Sequence, residues 1–279
     1  MIIDGHCHAG EGDLLTHPWN TTAPLRDYFR RARAAGIERT VVFPAFHSDY
    51  AVANEQLARL VARRRDRLIG FAFVHCKRDA GRIGAMVEDG VRRLGLRGIK
   101  VHGHEAMPTR EVCDAARRFG LPVLVDVAGQ ASVVEMLASA YPDVDFIVPH
   151  FGSFADDWRA QQQVVDQIVR HRNVYADTSG LRRFDYLVEA IRRAGPGKVI
   201  FGSDGPWLHP GLELHKIRLL GLPPSAEAAV LGGNLQRLLG RLRLPPASAP
   251  APRVPAAGCP SRPARREALA DSKRQAARR

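Results

Sequence analysis

The sequence predicts a (β/α)8 TIM barrel followed by a disordered basic C-terminal tail. Three observations predict it. Short β-rich apolar runs alternate with longer amphipathic ones across the first 240 residues, and that alternation builds parallel sheets from βα units. Eight such runs are present, at residues 2–5, 40–43, 68–74, 98–101, 122–126, 145–149, 173–176 and 198–202. Titratable residues gather at the C-terminal ends of those runs, the end at which barrels of this kind carry their sites.

Each run is rich in Val, Ile, Leu and Phe and lacks strict alternation, as expected of strands covered on both faces. Between them, residues 25–35 and 54–65 carry apolar side chains at helical spacing with arginines outside. Residues 110–119 read as a helix stopped by Gly120, and Leu121-Pro122 starts the next strand. Residues 226–239 read as a closing helix that ends at Gly240. An open doubly wound sheet is the alternative, but no GxGxxG follows the first run.

The chain has 279 residues, 45% hydrophobic and 25% charged, an ordinary soluble composition with enough apolar mass for one large core. No stretch approaches the roughly 18 apolar residues of a membrane span, so no membrane partner is expected. No basic-then-apolar leader opens the chain. Cys7, Cys76, Cys113 and Cys259 show no CxxC spacing. A reduced, cytoplasmic setting is therefore expected.

The net charge of +12 is unevenly spread: residues 241–279 carry +8 of it. The basicity is thus mostly a tail property, and nucleic acid is not an expected partner of the body. A domain boundary is expected after residue 244. Residues 245–279 are first Pro/Ala-rich and then Arg-rich, and cannot bury enough surface to offset their ordering entropy. Such a tail either makes a weak electrostatic contact with an anionic partner or is a solvated extension.

The strand-end residues carry the chemistry. His6 and His8 stand two apart after the first run, and i, i+2 side chains on extended chain share a face. Two imidazoles on one face suit Zn, Fe or Ni; two part-exposed loop histidines are the plainer alternative. Asp204, in Gly202-Ser203-Asp204-Gly205-Pro206, ends the eighth run. It is read as a metal ligand, as a proton acceptor, or as ordinary turn chemistry. His150 ends the sixth run and suits general base or carbonyl-polarising work; a buried histidine bonded to backbone is the alternative. Lys100 and His102 end the fourth run, Asp126 the fifth and Asp177 the seventh. His47, His75 and His104 lie in loops after strands. Arg78, in the loop after the third run, is a candidate clamp for a substrate carboxylate.

Taken in order, Asp4-Gly5-His6-Cys7-His8, Gly98-Ile99-Lys100-Val101-His102, Leu121-Pro122-Val123-Leu124-Val125, Pro149-His150, Gly202-Ser203-Asp204-Gly205-Pro206 and Leu231-Gly232-Gly233-Asn234-Leu235-Gln236-Arg237-Leu238-Leu239 resemble the amidohydrolase superfamily. The resemblance is to its amidohydrolase-related branch, with enzymes similar to aminocarboxymuconate semialdehyde decarboxylase, and covers about residues 2–240. It implies a metal-dependent hydrolase or decarboxylase acting on a small carboxylate- or lactone-containing substrate through a metal-bound water. It implies one divalent ion, usually zinc, held by His6, His8 and Asp204, with His150 and Asp204 catalytic. Lys100, His102 and Arg78 are the substrate-binding candidates. Relatives are often dimers, so a homodimer is an expected assembly.

The family expects a histidine ligand at the end of strand five, where this chain has Asp126. An aspartate there is either a harder fourth ligand, favouring Mn or Mg, or the mark of a barrel that has lost its metal and serves as a binding or regulatory protein. Asp177 is read as a carboxylate that orients a ligand histidine or as a cap for the next segment.

Overall fold

Eight strands and eight helices alternate through residues 1–13, 22–154 and 156–246, the part of the chain that the computed structural model describes. The first half runs β1 (Ile3–Glu11), α1 (Leu25–Ala34), β2 (Arg39–Pro44), α2 (Tyr50–Ala62), β3 (Leu68–Gly70 and Ala72–Phe73), α3 (Ile83–Arg92), β4 (Ile99–His102) and α4 (Arg110–Phe119). The second runs β5 (Val123–Asp126), α5 (Ser132–Ala140), β6 (Phe146–Val148), α6 (Trp158–Arg170), β7 (Val174–Asp177), α7 (Phe184–Ala194), β8 (Val199–Ile200) and α8 (Pro210–Arg218). A two-residue strand, Thr22–Ala23, pairs antiparallel with the end of β1. All successive pairs from β1 to β8 are parallel.

Two junctions close the ring. Within β3, Phe71 N donates to Val42 O of β2 (2.9 Å) and Ala72 N donates to Gly98 O before β4 (2.8 Å). Between β8 and β1, Gly5 N donates to Phe201 O (2.9 Å) and His8 N donates to Gly205 O (2.7 Å). Gly5 is needed there because a Cβ would stand 3.0 Å from Phe201 O. The result is the (β/α)8 barrel the sequence predicts.

Strand alternation sorts the core into two layers. Ile3, Val41, Phe43, Ile69, Phe71, Leu124, Ile147, Tyr175 and Ile200 fill the barrel interior with Leu235 and Leu238 of the last helix, Asn234–Leu239. Their strand neighbours Val42, Ile99, Val101, Val123, Val125 and Ala176 pack outward against the helices. Alternation therefore turns Lys100, Asp126 and Asp177 inward.

Local details depart from the sequence reading. Helix α2 begins at Tyr50 rather than 54, because the Asp49 carboxylate accepts from Ala51 N (2.9 Å) and Val52 N (3.4 Å) and starts the helix a turn earlier. Asp49→Ala is expected to cost about 0.5–2 kcal/mol in chemical unfolding. Residues 226–239 are not one helix: Pro224–Ala228 and Asn234–Leu239 flank a wider π-turn at Ala229–Gly233, where Gly232-Gly233 gives weak helical support. Helix α4 does end at Gly120, in the left-handed region (φ 63°).

Met1–Pro245 forms one compact unit. Apart from its first two residues, the tail expected at 245–279 lies outside the described residues, as does Cys259. Cys7, Cys76 and Cys113 are buried free thiols. Among the described residues no helix is long and apolar enough to cross a membrane.

Candidate metal centre at the barrel mouth

Strand β1 carries the first two site residues inward by an irregularity. Its register against β2 shifts between Asp4 and Cys7. Ile3 packs in the inner layer and Cys7 in the outer one, although positions four apart share a face of a regular strand. A bulge changes the parity of a strand, so here it is His6 and His8 that face the interior. Asp4 anchors the bulge. Its carboxylate accepts from His6 N (3.1 Å), Ser203 N (2.9 Å) and Tyr28 Oη (2.7 Å). Burial pushes the Asp4 carboxyl up to about 6, against the hydrogen bonds from Ser203 and Tyr28.

Both imidazoles are oriented through Nδ1. His6 Nδ1 is 2.6 Å from Asp177 Oδ2, and His8 Nδ1 is 3.1 Å from Pro44 O. An acceptor at Nδ1 keeps the proton there and presents the Nε2 lone pair. His6 Nε2 lies 3.4 Å and His8 Nε2 3.8 Å from Asp204 Oδ1. One ligand atom from each of the three residues lies within 4.8 Å of the others. His6 Nε2 is buried with no hydrogen-bond partner. Two imidazole nitrogens and a carboxylate aimed at one point, one of them orphaned, fit a divalent ion.

Asp204 and His150 each stand on left-handed backbone (φ 55° in both). Such strained backbones concentrate at functional sites. Burial lowers His6 to about 4, with Asp177 opposing, and pushes His8 well below the usual imidazole range. Both present unprotonated nitrogen at neutral pH. Burial raises Asp204 to about 7, against the pull of His150 and Lys100.

Asp126 lines the same mouth. It is outside the group of mutually close ligand atoms, which among the described residues is His6, His8 and Asp204. Its Oδ1 accepts from Ala128 N (2.8 Å), and its Oδ2 faces His102 Nε2 (3.3 Å) and His150 Nε2 (3.8 Å). Burial would raise its pKa, but His102, His150 and Lys100 together hold it well below the usual carboxylate range. His150 Nδ1 is 2.6 Å from Ser179 O, which fixes the tautomer and turns Nε2 toward Asp126.

The mouth encloses a cavity of about 190 Å³, lined by His6, His8, Lys100, His102, His104, Asp126, His150 and Asp204 with Phe46, Phe154, Trp207 and Leu208. Lys100 is fully buried, and its Nζ has no hydrogen-bond partner and lies 4.8 Å from the Phe43 ring centroid. Burial lowers its pKa, with Asp126, Asp204 and Asp177 opposing.

Arg78 is not brought to this cavity. Its guanidinium donates to His47 O (2.9 Å), lies 3.6 Å from Glu105 Oε1 and covers the Tyr50 ring. His47 and His75 serve local turns, their Nδ1 atoms accepting backbone N–H groups at 49, 77 and 78. Asp177 does both jobs open to it: Oδ2 orients His6, and Oδ1 accepts from Ser179 N (2.7 Å). Sequence reasoning assigns no role to Asp4, Ser179, Phe46 or Trp207. Asp4 had one legible signal, an acidic residue directly beside the histidine pair. Ser179 has its Oγ 3.2 Å from His6 Nδ1 and 3.1 Å from His150 Nδ1.

Residues 3–241 match the family model described as Amidohydrolase. The chain belongs to the amidohydrolase family. Solved structures agree on the fold of this family member. An amidohydrolase from Burkholderia multivorans with bound zinc is 16% identical, with a TM-score of 0.72 over 86% of this chain and 99% of that one. A dihydroxybenzoic acid decarboxylase from a Polaromonas species, with bound manganese and the inhibitor 2-nitroresorcinol, is 19% identical, with a TM-score of 0.67 over 86% and 96%. A candidate 2-pyrone-4,6-dicarboxylic acid hydrolase from Pseudomonas putida is 22% identical, with a TM-score of 0.67 over 86% and 97%. No curated protein matches this amidohydrolase significantly.

Proposed function

We propose that this amidohydrolase-family enzyme is a metal-dependent hydrolase or decarboxylase of a small carboxylate-bearing substrate. The observation that carries the reading is the convergence of His6, His8 and Asp204, with both histidine Nδ1 atoms already committed to acceptors. We assign the ion to those three residues. Two nitrogens and one carboxylate oxygen suit zinc. Asp126, the residue that would favour Mn or Mg as a fourth ligand, is not among those three, so zinc is the first ion to test and manganese the second. A bound divalent ion supplies Lewis acidity to a substrate oxygen.

The chain's own groups do the rest. Lys100 is the seat for a substrate carboxylate, because a buried ammonium without a partner gains a charge-assisted bond when one arrives. His150 is the general acid/base: with Nδ1 committed to Ser179 O, its Nε2 is the atom through which a proton passes to or from substrate, beside the Asp126 carboxylate. Phe46, Trp207 and Leu208 wall the cavity and limit water. A cavity of about 190 Å³ suits a small planar acid or lactone better than a polymer end.

The similar proteins supply the first probes: dihydroxybenzoic acids, followed by carbon dioxide release, and 2-pyrone-4,6-dicarboxylic acid, followed by ring opening. Lys100→Met is expected to raise KM for the active compound by roughly 10–100-fold, with metal content unchanged. An unchanged KM rejects Lys100 as the carboxylate seat. One observation favours a second reading, a binding barrel without turnover: Asp126 replaces the expected histidine and does not join the ligand group. On that reading, metal-loaded protein binds the probes without converting them.

A further inference from the structure

A second cavity lies at the other end of the barrel, and arginines line it. It measures about 260 Å³. It is bounded by Arg39 at the start of β2, by Leu68 at the start of β3, by Arg97 just before β4, and by the C-terminal ends of α2 and α3. Arg65, Arg92 and Arg93 complete a set of five arginines, and among the described residues no acidic side chain lines the space.

Two of the five are neutralised locally. Arg92 Nε is 2.9 Å from Glu88, and Arg93 is 2.6 Å from Asp89 and 2.5 Å from Glu55. Arg39, Arg65 and Arg97 make no ion pair and no side-chain hydrogen bond among the described residues. Arg39 Nε is buried with no partner at all. A buried guanidinium N–H without an acceptor is costly and calls for one. Attraction of cations to helix C-termini accounts for arginines at the ends of α2 and α3. It does not account for Arg39 or Arg97, which stand at strand beginnings.

We infer that this cavity binds a small, multiply charged oxyanion of the phosphate type, free or as the phosphoryl end of a small molecule. Guanidinium forks match phosphate oxygens two at a time. The cavity's size restricts it to a small ligand, and Val61, Leu68 and Leu94 provide an apolar wall for a short organic part. The site lies away from the mouth, so it stands or falls independently of the proposed reaction.

Calorimetric titration of pyrophosphate, inorganic phosphate and phenyl phosphate into the full-length protein tests it. Wild type is expected to bind pyrophosphate saturably, one per chain, with no matching signal from sodium chloride at equal ionic strength. Arg65→Gln with Arg97→Gln is expected to weaken binding at least about tenfold. Both positions are exposed, so the ligand-free melting temperature should hold. His6→Ala is expected to leave the binding intact, which excludes the mouth. Tighter binding of phenyl phosphate than of phosphate assigns a phosphoryl-bearing small molecule; the reverse order assigns the free anion. Absence of saturable binding overturns the inference. So does equal affinity in the double variant, which would move the anion to the tail or the mouth.

Discussion

His6→Ala is expected to weaken divalent-ion binding by more than about 100-fold and to remove turnover, while the barrel stays folded. Losing a group that merely orients a ligand costs roughly 10–100-fold in metal affinity, so losing the ligand itself costs more. His6 contributes the Nε2 that is buried and without a partner. Its removal also strips Asp177 Oδ2 of its 2.6 Å contact, leaving Oδ1 bonded to Ser179 N. A stability loss of about 1–3 kcal/mol follows from that unpaired buried carboxylate oxygen. Competition with a coloured chelator gives the affinity, and thermal unfolding gives the stability. Asp177→Asn in the same titration should fall in the intermediate range, since the ligand remains and only its orientation is lost. If His6→Ala binds the ion as wild type does, His6 is not a ligand.

Gly202→Ala is expected to damage stability and the metal centre together, although it adds a single methyl group to the strand-eight turn. A Cβ there would lie 2.7 Å from Asp177 Oδ1 and 2.9 Å from His6 Cβ. Asp177 is fully buried and His6 is 1% exposed, so neither can swing into solvent. Overpacking of this kind costs about 1–3 kcal/mol. In a domain of this size each kcal/mol lowers the melting temperature by roughly 2–4 °C. Displacing Asp177 from His6 should also cost roughly 10–100-fold in ion affinity. Gly84→Ala is the control: a Cβ there meets nothing within 4 Å inside α3, and alanine should stabilise by about 0.4–1 kcal/mol. Equal melting temperatures for the two variants would refute the packing argument.

Much of the fold was legible because parallel strands covered on both faces are written as apolar runs. All eight runs contain or adjoin a strand, and their C-terminal ends do face one mouth. The boundaries slipped where a local device outweighed the pattern, as at Asp49, whose capping carboxylate starts α2 early. The i, i+2 spacing of His6 and His8 was visible, but the bulge that turns them inward was not. It depends on Asp4 reaching Ser203, 199 residues away in sequence. The same distance problem hides the Asp177–His6 contact, whose members are 171 residues apart. Arg78 illustrates the converse. A loop arginine near the mouth looks like a clamp until Glu105 and Tyr50 are seen to occupy it. Asp126 is conspicuous in the sequence as a departure from the family pattern, but its placement beside His102 and His150 is not, because those partners come from other strands.

The most direct test of the metal centre is elemental analysis of full-length protein purified without chelator. The arrangement of His6, His8 and Asp204 predicts one divalent ion, zinc foremost, per chain, removed by Asp204→Ala and retained in Asp126→Ala. Protein that holds no divalent ion, even after dialysis against zinc, would contradict it. So would an ion lost from Asp126→Ala but kept in Asp204→Ala.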